Sequence, residues 1–243
     1  LVPDRPGTPR RFFFVHIQKT GGISLYMRMQ RQFGREGVYP APSDGDPDEV
    51  APQLFTRILL ERWRARRDEI RIVTGHFPLC TAELLNADFS FLTVLRDPVE
   101  RTLSYLRHHR VTTPKDRDTP LEELYEDAPR FKMFIENQMV KMLSLDASEM
   151  TNGLMTPVDF DRGRLRKAKR ALKGLDTFGL QEDLEGFAQE LERRYGWDLG
   201  PPVHENATRP TPVPDSFRAR IREDNPLDVE LYEYARKLLS RRS

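Results

Sequence analysis

The sequence predicts an α/β fold with a central, mostly parallel sheet covered by helices on both faces. Three observations carry that prediction. Short apolar runs recur along the chain: RFFFVHI (Arg11–Ile17), EIRIVTG (Glu69–Gly75) and FSFLTVL (Phe89–Leu95). Each is too short for a buried helix and rich in aromatic and β-branched residues, the composition of a buried strand. Segments of helical periodicity lie between them, and strands that alternate with helices pair in parallel.

Taken in order, residues 1–10 read as a tail and residues 11–243 as a single domain, a length that can bury a real core. The first strand, Arg11–Ile17, runs through Gly21 and Gly22 into a helix, ISLYMRMQRQF, that ends near Gly34. Residues 35–52, rich in Pro, Asp and Gly, read as a loop. A helix is expected over Gln53–Asp68, then the second strand, Glu69–Gly75, and a short helix over Thr81–Asn86. After the third strand, Phe89–Leu95, Asp97 suits the N-cap and Pro98 the first position of a helix reaching Arg110. Helical patterns resume over Leu121–Glu126 and Phe131–Leu143, and residues 145–160 read as loop. A helix over 161–173, a short strand at Thr177–Leu180 and a helix over 182–194 make another alternating unit. A Pro-rich loop spans 200–215, and a helix over about 226–240 closes the chain.

Composition narrows the function classes. Net charge is +1, from 39 basic and 38 acidic residues, so there is no basic excess of the kind that grips nucleic acid. Recognition of an anion must then come from a local site. Cys80 is the lone cysteine, which excludes an intrachain disulfide framework and fits a reducing, cytoplasmic setting. No apolar run is long enough to span a bilayer, and LVPDRPGTPR is not a signal peptide. An anchor on a longer precursor stays open.

Parallel sheets bind ligands at the carboxyl ends of their strands. Three loops leave those ends here, and each holds a residue able to do chemistry. The first is Gln18-Lys19-Thr20-Gly21-Gly22-Ile23-Ser24. A strand, a glycine turn and a helix start make a cradle of backbone amides, to which Lys19 adds charge. The loop is not a Walker A motif, because Lys19-Thr20 precedes the glycines instead of following them. The second is at Arg96, whose guanidinium can give a phosphate two parallel hydrogen bonds, with Ser104 eight residues on in the following helix. Taken alone, Arg-Asp-Pro is equally a helix-start signature with an ion-paired arginine. The third is His76, directly after the second strand, a natural base for a hydroxyl near neutral pH.

The order His-x-x-Lys-Thr-Gly-Gly over His16–Gly22 resembles the 5'-phosphosulfate loop of the sulfotransferase superfamily. It looks closest to the branch of heparan sulfate 2-O-sulfotransferases and related bacterial proteins, whose loop often reads HIPKTGGTS. Gln18 and Ile23 depart from that pattern, and Ile23 removes a hydroxyl from the loop. The resemblance implies a P-loop-like three-layer fold and the donor 3'-phosphoadenosine-5'-phosphosulfate (PAPS), leaving PAP as product. It implies that Lys19, Thr20, Gly21, Gly22, Ile23 and Ser24 hold the 5'-phosphosulfate, and that Arg96 and Ser104 hold the 3'-phosphate. It further implies that His76 is the general base and that Lys19 aids the leaving group. Looser likenesses at Phe134–Ser144, Asp176–Leu191 and His204–Pro210 extend it to about residue 212 and suggest Asn206 and Arg209 as further donor contacts.

The expected reaction is in-line sulfuryl transfer to an acceptor hydroxyl, on a carbohydrate or small metabolite, in a bacterial-type protein that needs no metal. Loops 35–52, 111–130 and 145–160 are expected to shape the acceptor side. Two other readings stay open: an ATP- or GTP-dependent P-loop kinase, and a non-catalytic module that binds the nucleotide or an acidic glycan. His108 and His109 are adjacent on a helix and point apart, so they do not form a metal pair. No GxSxG elbow is present. Arg62, Arg64, Arg66 and Arg67 read as a solvated helix face ahead of a contact for an acidic glycan, and Cys80 as a buried inert thiol ahead of one activated near a helix start.

Overall fold

The computed structural model describes residues 10–45, 50–151, 153–202 and 212–241. Among them, five strands form one sheet: β1 (Phe12–Val15), β2 (Val38–Tyr39), β3 (Ile72–Val73), β4 (Ser90–Leu95) and β5 (Thr177–Leu180). Their spatial order is β2-β3-β1-β4-β5 and every pairing is parallel, with Phe12 opposite both Ile72 and Ser90, and Leu95 opposite Leu180. The helices in chain order are α1 (Gly22–Phe33), α2 (Ala51–Leu54), α3 (Thr56–Arg66), α4 (Pro98–Thr112), α5 (Leu121–Glu126) and α6 (Ala128–Arg130). They continue with α7 (Gln138–Ser144), α8 (Arg162–Gly174), α9 (Leu184–Tyr195), α10 (Asp215–Asp224) and α11 (Pro226–Leu239).

The three layers follow from the period-2 alternation of β1. Phe13 and Val15 face a core shared with Leu59 and Trp63 of α3, Met139 and Leu143 of α7, Leu165 and Leu172 of α8 and Leu231 of α11. Phe12 and Phe14 face the other way, onto Leu25 and Met29 of α1 and Phe187 and Leu191 of α9. All three phenylalanines are buried, each stabilising the fold by about 1.5–3 kcal/mol. A lateral cluster joins Leu103 and Leu106 of α4 to Leu124 and Tyr125 of α5 and Phe217 and Ile221 of α10. The α/β class and the parallel sheet are therefore as the alternation predicts.

Several boundaries differ. The expected loop 35–52 contains β2, an edge strand of two residues and so too short to show a period. The expected helix 53–68 is two helices, because Phe55 between them is extended at φ −94°, ψ 111°. The second strand shrinks to Ile72–Val73, since Gly75 turns the chain with φ 102°. The short helix after it is 3-10, Leu79–Leu85. The expected helix 131–143 is a π-helical turn, Phe131–Ile135, then left-handed Asn137 and α7. That break is stabilised from a distance. Asp228 accepts from the Met139 and Val140 amides at 3.0 and 2.8 Å, while Asn137 Oδ1 accepts from the Leu227 and Asp228 amides at 3.0 and 3.1 Å. The starts of α7 and α11 thus cap each other. Helix α10, with Phe217 and Ile221 one turn apart, was not expected behind the Pro-rich segment.

Candidate active site

The carboxyl ends of β1, β3 and β4 are neighbours in the sheet, and the three loops singled out above converge there. The loop after β1 is locked by its own side chains. Thr20 is buried and its hydroxyl donates to the Ile17 carbonyl at 2.8 Å, so only its amide is free to face a ligand. Lys19 and Gly21 both take positive φ, 67° and 87°. For lysine this backbone costs about 1–3 kcal/mol, a strain that persists only where the surroundings impose it. Arg96, at the tip of β4, supplies part of that restraint by donating from Nη1 to the Lys19 carbonyl at 3.0 Å. Gly22 opens α1 against the ring of His16, and a Cβ there would collide with Nε2, Cδ2 and Cε1 of that imidazole. Ile23 is 53% exposed at the helix start, and Ser24 beside it is half-buried.

The electrostatics of this corner are cationic. Burial holds the Lys19 ammonium below its ordinary pKa, and the charge of Arg96 adds to the effect. Burial also lowers Arg96, against the pull of Glu100 and Glu182. Among the described residues Lys19 has no carboxylate partner, and Arg96 Nε is buried without an acceptor. Two half-buried cations, neither ion-paired with a carboxylate among the described residues, favour an anion beside them.

His76 stands beside them. Its Nδ1 lies 2.9 Å from the His16 carbonyl, its amide donates to the Gln53 carbonyl at 2.8 Å, and the two imidazole centroids are 4.5 Å apart. A carbonyl only accepts, so Nδ1 carries the proton and Nε2 holds the free lone pair. Burial pushes the His76 pKa down to about 4, with the charges of Lys19 and His108 adding to it and the bond to His16 opposing it. The ring is therefore neutral at pH 7 and able to accept a proton at Nε2.

Ser104 is half-buried on α4, and Asp97 caps that helix by accepting from the Val99 and Glu100 amides at 2.9 and 3.1 Å. Asn206, Arg209 and His204 lie outside the described residues. Cys80 is buried, its thiol pushed up to about 12 by burial. The basic helix splits. Arg66 turns inward onto Asp44, whereas Arg62, Arg64 and Arg67 are exposed. Among the described residues no group of three metal-ligating side chains comes together, and no helix is long and apolar enough to cross a membrane.

Three contributions were not read from the sequence, although it names His16 as the start of the loop motif and His108 beside His109. His16 orients His76 and walls the glycine turn. Gln53 holds the His76 amide through a carbonyl, which leaves no mark on residue type. His108 lies one turn beyond Ser104 on the same face of α4, and burial, then the charges of Lys19 and His109, lower its pKa. Its i+4 spacing from Ser104 was the signal available for it.

No family model matches the chain. Its similarity to known proteins is nonetheless extensive. It is 26% identical over 273 residues to human (Homo sapiens) heparan-sulfate 6-O-sulfotransferase 1, covering 94% of this chain and 65% of that one. It is 29% identical to mouse (Mus musculus) heparan-sulfate 6-O-sulfotransferase 3, covering 94% and 57%, and 30% identical to chicken (Gallus gallus) heparan-sulfate 6-O-sulfotransferase 2, covering 94% and 66%. The chain thus spans between 57% and 66% of the length of these relatives. A sulfotransferase structure from Alicyclobacillus acidocaldarius covers 91% of this chain and 96% of its own, with a TM-score of 0.48 and 16% identity. The expected 2-O affinity is corrected by these relatives, and Gln18 and Ile23 are the two loop positions that already departed from it. The chain belongs to the PAPS-dependent sulfotransferase superfamily, and the relatives it matches are 6-O rather than 2-O enzymes.

Proposed function

We propose that the protein transfers a sulfuryl group from PAPS to a carbohydrate hydroxyl. The observation that carries this reading is the pair Lys19 and Arg96, two cations at adjoining strand ends with no carboxylate between them, beside a histidine whose free nitrogen is a base. PAPS is an anion at both ends and suits such a site. Lys19 and the amides of residues 20–24 hold the 5'-phosphosulfate, while Arg96 and Ser104 hold the 3'-phosphate. His76 Nε2 takes the acceptor's proton as the new oxygen–sulfur bond forms and the bond to the 5'-phosphate oxygen breaks. PAP leaves with its new charge neutralised by Lys19. Catalysis is positioning and electrostatics, as in phosphoryl transfer, and uses no metal. Similarity to enzymes named as heparan-sulfate sulfotransferases supports a sugar acceptor.

The test is turnover with PAPS over a panel of hydroxylated acceptors, alongside calorimetry with PAP, ATP and Mg-ATP. Binding of PAP in preference to ATP, without Mg²⁺, is expected. H76N should lose about 10²–10⁴ in rate and keep its PAP affinity. Retained turnover in H76N, or Mg-ATP preference in the wild type, overturns the reading.

A further inference from the structure

Three carboxylates stand in the field of Arg96, and among the described residues it is ion-paired with none of them. Its Nη1 donates to the Lys19 carbonyl at 3.0 Å, and its Nε is buried without an acceptor. Asp97 follows it directly in the chain, and Glu100 lies one turn on, in the first turn of α4. Glu182 arrives from β5. That strand ends level with β4, Leu180 opposite Leu95, so Glu182 leaves the sheet beside Arg96. Burial lowers the Arg96 pKa, while Glu100, Glu182 and, more weakly, Asp97 pull it back up. A guanidinium so placed stays unpaired only if something else holds the carboxylates.

The two C-terminal helices hold all three. Glu100 accepts from Nη2 of Arg218 on α10. Asp97 Oδ2 lies 3.7 Å from Nη2 of Arg222, four residues further along the same helix. Glu182 Oε1 accepts from the Tyr232 hydroxyl of α11 at 2.7 Å. These partners are presented from fixed positions. Phe217 and Ile221 root α10 on Leu103 and Leu106 of α4, and Tyr232 is itself buried. We propose that α10 and α11 frame the donor site. Arg218, Arg222 and Tyr232 are positioning residues that keep Glu100, Asp97 and Glu182 off Arg96 and so leave its guanidinium for the donor's 3'-phosphate. The proposal rests on the reading of Arg96 as the 3'-phosphate arginine. Arg218 carries most of the effect, because Glu100 is the carboxylate that acts most strongly on Arg96. Arg107 is a further cation in the field of Glu100. Without Arg218 that carboxylate turns to Arg107 and Arg96, and the phosphate meets a negative charge where it needs a free donor. The Arg218 and Glu100 side chains are 38% and 39% exposed, and ion pairs that open add little to folding, so the value of this one lies in the site.

The experiment is calorimetric titration of PAP into the full chain, with a melting temperature for every variant. R218A should weaken PAP about tenfold, the effect of one uncompensated carboxylate near the phosphate. Its melting temperature should stay within about 2 °C of the wild type. R218K keeps the charge and should lose less. E100Q removes the carboxylate and should bind PAP at least as tightly as the wild type. The double variant E100Q/R218A should therefore bind within about two- to threefold of E100Q. Y232F should weaken PAP as well, and E182Q/Y232F should recover it. R220A breaks an equally open ion pair of α10, with Glu126 of α5, and should bind PAP as the wild type does. Wild-type affinity in R218A, or an equal loss in R220A, overturns the proposal. So does a loss that persists in E100Q/R218A, which would mean that Arg218 touches the nucleotide itself. A marked loss in E100Q alone overturns it without any change at Arg218. Failure of the wild type to bind PAP strikes the sulfotransferase reading and the proposal together, whereas PAP binding without rescue by E100Q strikes the proposal alone.

Discussion

Gly22→Ala adds one methyl group at the start of α1, and the structure says what it meets. Three ring atoms of His16 would lie closer than 3.0 Å to the new carbon. The nearest, Nε2, would be at 1.8 Å, and ordinary carbon contacts are about 3.5–4.0 Å, so the ring or the helix start must move by about 2 Å. The ring cannot swing freely, because it is stacked on Phe14 at 5.6 Å and lies 4.5 Å from His76. Overpacking of this kind costs about 1–3 kcal/mol, and the better helix propensity of alanine returns at most about 1 kcal/mol. A net loss of about 1–2 kcal/mol lowers the melting temperature of a chain this size by about 2–8 °C. The functional loss is larger. An ångström of misplacement in a reacting loop costs roughly a hundredfold in rate. Gly174→Ala, at the end of α8 with nothing within 4 Å, is the control and should keep both activity and melting temperature. Thermal scanning, PAP calorimetry and initial rates read all three quantities. A G22A protein with wild-type PAP affinity and melting temperature would refute the view that His16 and Gly22 jointly shape the donor loop.

Three further outcomes are expected. His76 is lowered to about 4, so its neutral, basic form persists as pH falls through 6.5 and is lost only on approach to 4. The acid limb of kcat/KM should therefore lie well below pH 6.5, and a limb at or above 6.5 would contradict the buried, neutral imidazole. Asp228 is buried, faces the charge of Arg101 and caps α7, so D228A should cost about 3 kcal/mol in chemical denaturation, with D228N losing less. A loss under about 1 kcal/mol would show the mutual capping of α7 and α11 to be unimportant. His108→Glu would set a carboxylate in the field of Lys19, where it competes with the donor's anion, and should weaken PAP about tenfold in calorimetry. His108→Gln should change it by no more than two- to threefold, and equal affinities in the two variants would remove His108 from the site.

The loop, the strand-end arginine and the histidine were legible because their chemistry is local. Lysine, glycines and a strand-to-helix turn sit within nine residues, and Asp97-Pro98 announces its helix by the two residues that best start one. The branch was not legible from that loop. The similarity to 6-O-sulfotransferases runs over 94% of the chain, and it turned the expectation from 2-O to 6-O. Elements under tertiary control also escaped. Two-residue β2 exists because β3 pairs with it, and α7 starts late because Asp228, some ninety residues on, caps it there.

By itself the sequence determined the layered α/β class, the position of the cradle and the residue types that can face an anion. These follow from periodicity and turn chemistry, which act over a few residues. The tertiary structure alone decided the rest. It set the Arg96 bond to the Lys19 carbonyl, the tautomer of His76 imposed by the His16 carbonyl, and the bond from the His76 amide to the Gln53 carbonyl. Each joins backbone atoms and side chains far apart in the chain, and a backbone carbonyl is the same in every residue type, so no pattern of letters records which ones will meet.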